Sequence, residues 1–405
     1  MALSPFLHPF AQPAKPASGF TTLVGGEGSV VWDDKGRRYI DAMASLWYCN
    51  AGHGEQRIID AISAQLQSLA TYNTFDPWTN EPTERLAAQI VEVAPMPGSR
   101  VFFTCSGSEA VDSALKLAHL THFLEGHPER QLVASREQGY HGVAYGGTSA
   151  QGIPANKEGW GELVPGFVHL PTNDIEAASR AFAEHGDRIG TVIAEPVQGA
   201  GGVIPPAPGY LAGLRRLCDD HGTLLIMDEV ICAWGRLGQW FGSQHYGVEP
   251  DLVTFAKGVT SGYVPLGGVV VGGRARAALE SDPTYLLRHG HTYSGHPTCT
   301  AAGVATLELY KTDGLIERSV TVGKLLADGL GALADDGIIA GARGEGAVWA
   351  AELHEGVDST AVRNRMLEAG VIARPLADAV AFCPPLVITE AEIARCIDAL
   401  AGAVR

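Results

Sequence analysis

Five short runs, each almost wholly apolar and each separated from the next by a helix-length segment, constrain this chain more than any other feature. They are Val101-Phe102-Phe103-Thr104, Gln131-Leu132-Val133-Ala134, Thr191-Val192-Ile193-Ala194, Leu224-Leu225-Ile226-Met227 and Leu252-Val253-Thr254-Phe255-Ala256. A strand with one wet face alternates polar and apolar residues. A strand apolar throughout has both faces covered, as in parallel sheets flanked by helices. The chain is therefore read as α/β with a largely parallel sheet. Its 405 residues suffice for one large and one smaller domain. After about Leu307 the pattern returns to helix, strand and helix at smaller scale, with Gly344 and Gly346 at turns, which predicts an α+β region. The expected division is an N-terminal arm plus part of the small domain over 1–45, the large domain over 46–304 and the rest of the small domain over 305–405.

Ahead of the first run, residues 1–20 read as an irregular arm and 28–41 as a hairpin turning at Asp34-Lys35-Gly36. Helical spacing of Ile58, Ile59, Ile62, Leu66 and Leu69 predicts a helix over 56–70. Another starts after Asn80, with Pro82 in its first turn, and runs to about Val93.

Charge removes one class of partner. Lys plus Arg number 29 and Asp plus Glu 45, a net charge of −16, which repels phosphate backbones, so nucleic-acid binding is not expected. The seven cysteines are odd in number and never form a C-x-x-C pair, which predicts reduced thiols rather than disulfides or a metal site. No window reaches the roughly 18 uncharged apolar residues of a membrane span. The proline-broken N-terminus also lacks the pattern of a signal peptide, so a cytoplasmic location is expected.

Chemistry in parallel sheets collects at the carboxyl ends of the strands. After Thr104 comes Cys105-Ser106-Gly107-Ser108-Glu109-Ala110, opening a helix over 110–120. Small residues at a helix start suit either an ordinary cap by Ser106 or Ser108, or a phosphate cradle. Gly139-Tyr140-His141-Gly142 offers an aromatic ring that could pack in a loop or lie over a planar ligand. Glu195 follows the third run, and Asp228-Glu229 the fourth. A buried carboxylate needs a cation, either a distant arginine or a protonated ring nitrogen of a ligand. Lys257 ends the fifth run; it could snorkel to solvent or serve as a desolvated amine able to form a Schiff base. Phosphate cradle, stacking aromatic, acid for a ring nitrogen and amine for an aldehyde together match the needs of pyridoxal 5′-phosphate.

At this point the chain resembles the class III aminotransferases among the fold-type I pyridoxal-phosphate enzymes, and within them the ω-amine:pyruvate branch. The resemblance covers about Trp32 to Leu386. It is carried by Ser106-Gly107-Ser108-Glu109-Ala110, Tyr140-His141-Gly142, Glu195-Pro196-Val197-Gln198-Gly199, Asp228-Glu229-Val230, Ala256-Lys257-Gly258, Thr292-Tyr293-Ser294-Gly295-His296-Pro297 and Pro384-Pro385-Leu386. It implies a large, mostly parallel seven-stranded α/β domain with a smaller α+β domain. It also implies transfer of an amino group from an amine or ω-amino acid to a 2-oxo acid, with pyruvate the expected acceptor, by a ping-pong route through pyridoxamine phosphate.

Residue by residue, the resemblance makes Lys257 the Schiff-base lysine and proton carrier, and Asp228 the acid that keeps the pyridine nitrogen protonated. Val230 and Tyr140 would pack the two ring faces, and Ser106, Gly107 and Ser108 would cradle the phosphate. His141 and Glu195 join the cofactor set, and Thr292 would reach the phosphate of a neighbouring subunit, implying a homodimer with shared sites, or a dimer of dimers. Trp47 would wall the substrate pocket, and Arg374 would grip a carboxylate. No metal is expected. Ornithine- and γ-aminobutyrate-type members carry a second glutamate where this chain has Ala200, and Gln-Thr-Gly where it has Ile231-Cys232-Ala233. Trp234 and His291 stand where phenylalanine is commoner in the branch and bear on the pocket's width. Trp47, Tyr140, Trp78 and His291 suggest an aromatic-lined pocket. A class III racemase or aminomutase would need the same Lys257 and Asp228.

Overall fold

The computed structural model describes residues 3–405; residues 1 and 2 of the expected arm lie outside it. Three antiparallel strands open the fold: β1 (Leu23–Glu27), β2 (Val30–Asp33) and β3 (Arg38–Asp41). The hairpin forms where the sequence predicts it because the Asp33 carboxylate accepts from the amides of Lys35 and Arg37 at 3.0 and 2.9 Å. Gly36 supplies the left-handed φ of 77° that closes the turn.

The centre is one sheet of seven strands: β4 (Arg100–Thr104), β5 (Leu132–Arg136), β6 (Phe167–Leu170), β7 (Ile189–Ala194), β8 (Leu224–Asp228), β9 (Leu252–Phe255) and β10 (Gly267–Val271). Their spatial order is β4-β10-β9-β8-β7-β5-β6, and only β10 runs against the rest. Strands β7 to β10 are buried along their whole length, as the apolar runs demand.

The sequence reading missed β6 and β10. β6 is an edge strand interrupted by His169, so it lacks the apolar signature. β10 begins with two glycines that read as a turn. They are needed for close passage: a Cβ on Gly267 would lie 2.7 Å from the Ser106 carbonyl oxygen, and one on Gly268 would lie 2.5 Å from the Phe255 ring.

Two predicted helices form as Gln56–Ser68 and Glu81–Val93. Asn80 caps the second by accepting from the Thr83 amide at 3.1 Å, and both helices pack against Pro297–Thr312. Beyond the long helix Leu315–Asp335 come β11 (Gly341–Glu345), β12 (Val348–Glu352), β13 (Val371–Ile372), β14 (Arg374–Pro375) and β15 (Ala379–Phe382). β11, β12, β15 and β14 form a sheet in that order, while β13 pairs in parallel with β3, so the two ends of the chain share a sheet. Among the described residues no helix is long and apolar enough to cross a membrane.

Candidate active site

The carboxyl ends of β5, β7, β8 and β9 surround a cavity of about 210 Å³, lined by Gly107, Ser108, Tyr140, His141, Gly142, Glu195, Asp228, Val230, Ile231, Ala256 and Lys257, with Leu46 and Val111. Of the expected residues, Gly107, Ser108, Tyr140, His141, Glu195, Asp228, Val230 and Lys257 are thus brought to one place, while Ser106, Trp47, Thr292 and Arg374 do not line this cavity.

Asp228, the last residue of β8, is 4% exposed, and its carboxylate is held from three sides. One oxygen lies 2.7 Å from Nδ1 of His141; the other accepts from the Thr254 hydroxyl at 3.0 Å and the Val230 amide at 3.2 Å. The β8–β9 register sets Thr254 opposite Asp228. No arginine pairs with Asp228 among the described residues, so the distant-arginine alternative is not realised. Glu195, just beyond β7, accepts from the amides of Tyr140 and Gly199, both at 2.9 Å. Burial pushes its carboxyl above the ordinary range, partly opposed by the neighbouring His141. Behind it lies Arg136, fully buried and donating to the Glu195 backbone carbonyl; desolvation lowers its affinity for a proton.

The cradle is built at the start of helix Gly107–Leu124. Ser106 caps it, its hydroxyl accepting from the Glu109 amide at 3.2 Å, so the cap reading of this segment holds, and small residues follow it. Space explains the small residues. A Cβ on Gly107 would sit 2.9 Å from Val230, and one on Gly142, whose φ is 91°, would lie 2.5 Å from the Ser108 hydroxyl. That hydroxyl accepts from the Val143 amide at 3.0 Å.

Lys257 follows β9 with a left-handed φ of 52°, uncommon for a side-chain-bearing residue and costing about 1–3 kcal/mol. The Tyr310 hydroxyl helps hold this turn, donating to the Gly258 carbonyl at 2.6 Å. Burial lowers the Lys257 amine below the usual lysine range, while Asp228 and Glu195 oppose the shift. It is a lysine inside a cavity, not one snorkelling outward.

The rim departs further from expectation. Arg374, on β14, has no ion pair or hydrogen-bond partner among the described residues; its Nε is buried and unbonded. Desolvation lowers the guanidinium's affinity for a proton, and the electrostatic influence of Tyr140 partly opposes it. Tyr140 also faces a second, larger cavity of about 690 Å³, bounded by Pro9 and Phe10 of the arm and by Val143, Tyr145 and Trp160.

Trp47 does not line the smaller cavity. Leu46 lines the cavity instead, while Trp47 packs, 3% exposed, in the cluster containing Val197 and Ile231. Trp234 likewise leaves the pocket. It is fully buried, with ring centroids 5.1 Å from Phe241 and 5.5 Å from Phe255. Trp78 is exposed and edge-on to Tyr72, and His291 is held near Ser113 at 3.3 Å, so of the four expected aromatics only Tyr140 lines the smaller cavity. Thr292 is exposed and lines no part of it. Reading the sequence missed Leu46, Phe10 and Thr254. Only Thr254 left a signal, a polar residue inside an otherwise apolar strand.

A planar aldehyde with a ring nitrogen and a phosphate fits this cavity. Asp228 is a carboxylate without a cationic arginine, Lys257 an inward amine, and Gly107 a gap that a Cβ would close. Fold and cavity therefore define a fold-type I pyridoxal-phosphate enzyme. The family model for aminotransferase class-III matches residues 13–404. The putrescine–pyruvate aminotransferase of Pseudomonas aeruginosa is 35% identical, covering 95% of this chain and 92% of that protein. The omega-aminotransferase of Caulobacter vibrioides is 36% identical, over 90% and 89%. An amine transaminase from an uncultivated Pseudomonas species, solved with pyridoxal phosphate bound, superposes with a TM-score of 0.95 at 34% identity, covering 99% of this chain and 98% of that one. The chain belongs to the class III aminotransferases, and its cofactor is pyridoxal 5′-phosphate.

Proposed function

We propose that this transaminase takes the amino group of an amine or ω-amino acid and delivers it to a 2-oxo acid, with pyruvate the acceptor, in two successive half-reactions. The unpaired Arg374 carries this reading. A guanidinium half-buried beside a cavity without an acid to satisfy it offers a fork for a substrate carboxylate. With alanine at 200, no side-chain acid there competes. The name of the Pseudomonas aeruginosa relative, putrescine–pyruvate aminotransferase, pairs a carboxylate-free donor with this acceptor.

When bound, pyridoxal 5′-phosphate supplies an aldehyde to receive the amino group and a protonated ring to withdraw electrons from the bond being broken. Asp228, fixed by His141, Thr254 and Val230, holds the proton on the ring nitrogen. The Lys257 amine, its basicity lowered by desolvation, would carry a proton between the substrate carbon and the cofactor's C4′ carbon. Ser106, Gly107 and Ser108 hold the phosphate at the helix N-terminus. Val230 and Tyr140 enclose the ring, and Glu195 fixes the Tyr140 backbone.

We also propose a homodimer in which Thr292, exposed in its own subunit, completes the partner's phosphate site, and a cytoplasmic setting suited to seven unpaired thiols. A variant lacking only Thr292, mixed with one lacking only Lys257, should then form heterodimers with one intact site.

Absorbance spectroscopy of the cofactor-loaded protein tests the main reading. The yellow band should fade on adding an amine and return on adding pyruvate. If one substrate is isomerised with no 2-oxo acid required, the racemase or aminomutase reading replaces it.

A further inference from the structure

We propose that Arg343 is a positioning residue for the acceptor. It locks the turn next to Arg374 against the glycine loop beyond Glu195, so that the free guanidinium is presented to a 2-oxo acid. The inference rests on the carboxylate-gripping role proposed for Arg374.

Arg343 stands in the middle of β11 and ties together three stretches of chain. Its Nε donates to the Gly202 carbonyl at 2.9 Å. Nη1 donates to Glu352 on β12 at 2.7 Å and to Asp378 at 3.1 Å, and Nη2 donates to the other Asp378 oxygen at 2.8 Å. The pair with Asp378 is the two-pronged geometry in which arginine surpasses lysine.

Asp378 belongs to the turn between β14 and β15, four residues beyond Arg374. That turn is held again by the Leu353 amide, 2.9 Å from the Asp378 carbonyl, and by the Ser359 hydroxyl on the Leu376 carbonyl. On the opposite side, Gly202 closes the loop that begins at Gly199, whose amide donates to Glu195. Arg374, Arg343, Ala200, Gly202 and Asp378 line one cavity of about 770 Å³.

The two arginines therefore divide the work. Arg343 spends its donors on fixing backbone, whereas Arg374 keeps its donors free on a strand that has been fixed. A grip on a small oxo acid depends on the fork's placement, and misplacement by about 1 Å costs up to about a hundredfold.

Single-turnover absorbance measurements on the amine-treated holoenzyme, with pyruvate or with butanal as acceptor, test the proposal. Arg343→Gln should raise half-saturation by pyruvate roughly tenfold or more and leave butanal unchanged. Asp378→Asn, at an exposed side chain, should do the same, and the double variant should be no worse than either single one. Arg343→Lys should recover part of the affinity. Arg374→Gln separates the two claims. If it leaves pyruvate unaffected, the reading of Arg374 fails. If it weakens pyruvate while Arg343→Gln and Asp378→Asn do not, the positioning role alone is overturned. Equal losses with pyruvate and butanal would reduce Arg343 to a structural brace and overturn it as well.

Discussion

The floor and the rim of this site are built on opposite principles. At the floor, Asp228 and Glu195 are deeply buried, and each carboxylate has its partners within 3.2 Å, supplied by neighbouring strands and the loops that follow them. At the rim, Arg374 has no bonded partner, Leu46 is 50% exposed, and Phe10 of the arm is 79% exposed. A buried charge without partners is costly, so the two carboxylates of the floor are bonded by neighbouring protein groups. A rim satisfied by protein alone would have nothing left for a substrate. The contrast separates groups that serve every substrate from groups that choose among them.

Substitutions at the floor should therefore act on all substrates alike. Lys257→Ala should lower turnover by on the order of 10³-fold or more with every amine and every acceptor, in a protein that still folds. Turnover surviving the change would remove the lysine from the mechanism. Asp228→Asn should reduce both half-reactions by roughly 10²- to 10³-fold without altering preference among donors; a loss confined to one donor would place Asp228 at the rim.

The rim should behave selectively. Arg374→Gln should raise KM for pyruvate roughly 10- to 100-fold, the worth of a charge-assisted fork, and leave carboxylate-free amines within about twofold. Steady-state kinetics with both substrate types decides it, and a uniform loss would erase the distinction drawn above.

The smallest effect concerns stability. Burial raises the Glu229 carboxyl from 4.5 to about 7, although the Ser243 and Gly242 amides pull it downward. The folded protein then holds this proton more tightly than the unfolded chain does. Its contribution is full below pH 4.5 and is lost as the pH rises toward 7. Melting curves should show Glu229→Gln losing that part of the pH dependence, a change on the order of 5 °C. An unaltered pH profile would show that Glu229 binds its proton no more tightly in the fold than in the unfolded chain.

The same division governs what the sequence discloses. Asp228, Lys257 and Ser106-Gly107-Ser108 are legible because each stands at or just beyond the end of an apolar strand, and direction alone carries a strand end to the site. The rim is not legible in this way, because its position depends on backbone angles that residue names do not reveal. Trp47 and Trp234, with φ of 67° and 62°, do not line the smaller cavity beside which the family resemblance set them. Phe10 reaches the larger cavity from an arm with no periodic pattern, and β10 hides behind glycines required by contacts far along the chain. Thr254 lies between these cases, a polar residue whose purpose shows only once β8 and β9 are in register.

The pairing of β3 with β13 bears on how the chain is made. The Ile40 amide donates to the Gly370 carbonyl at 2.9 Å and the Ala42 amide to the Ile372 carbonyl at 3.0 Å, so a strand near residue 40 finds its neighbour near residue 371. Throughout synthesis the amino-terminal meander waits with one edge open, while the central sheet can assemble from strands close in sequence. Closing that edge thus waits on residues 371–372. A chain lacking residues 371–372 would leave that edge of β3 unpaired, a template for pairing with another chain.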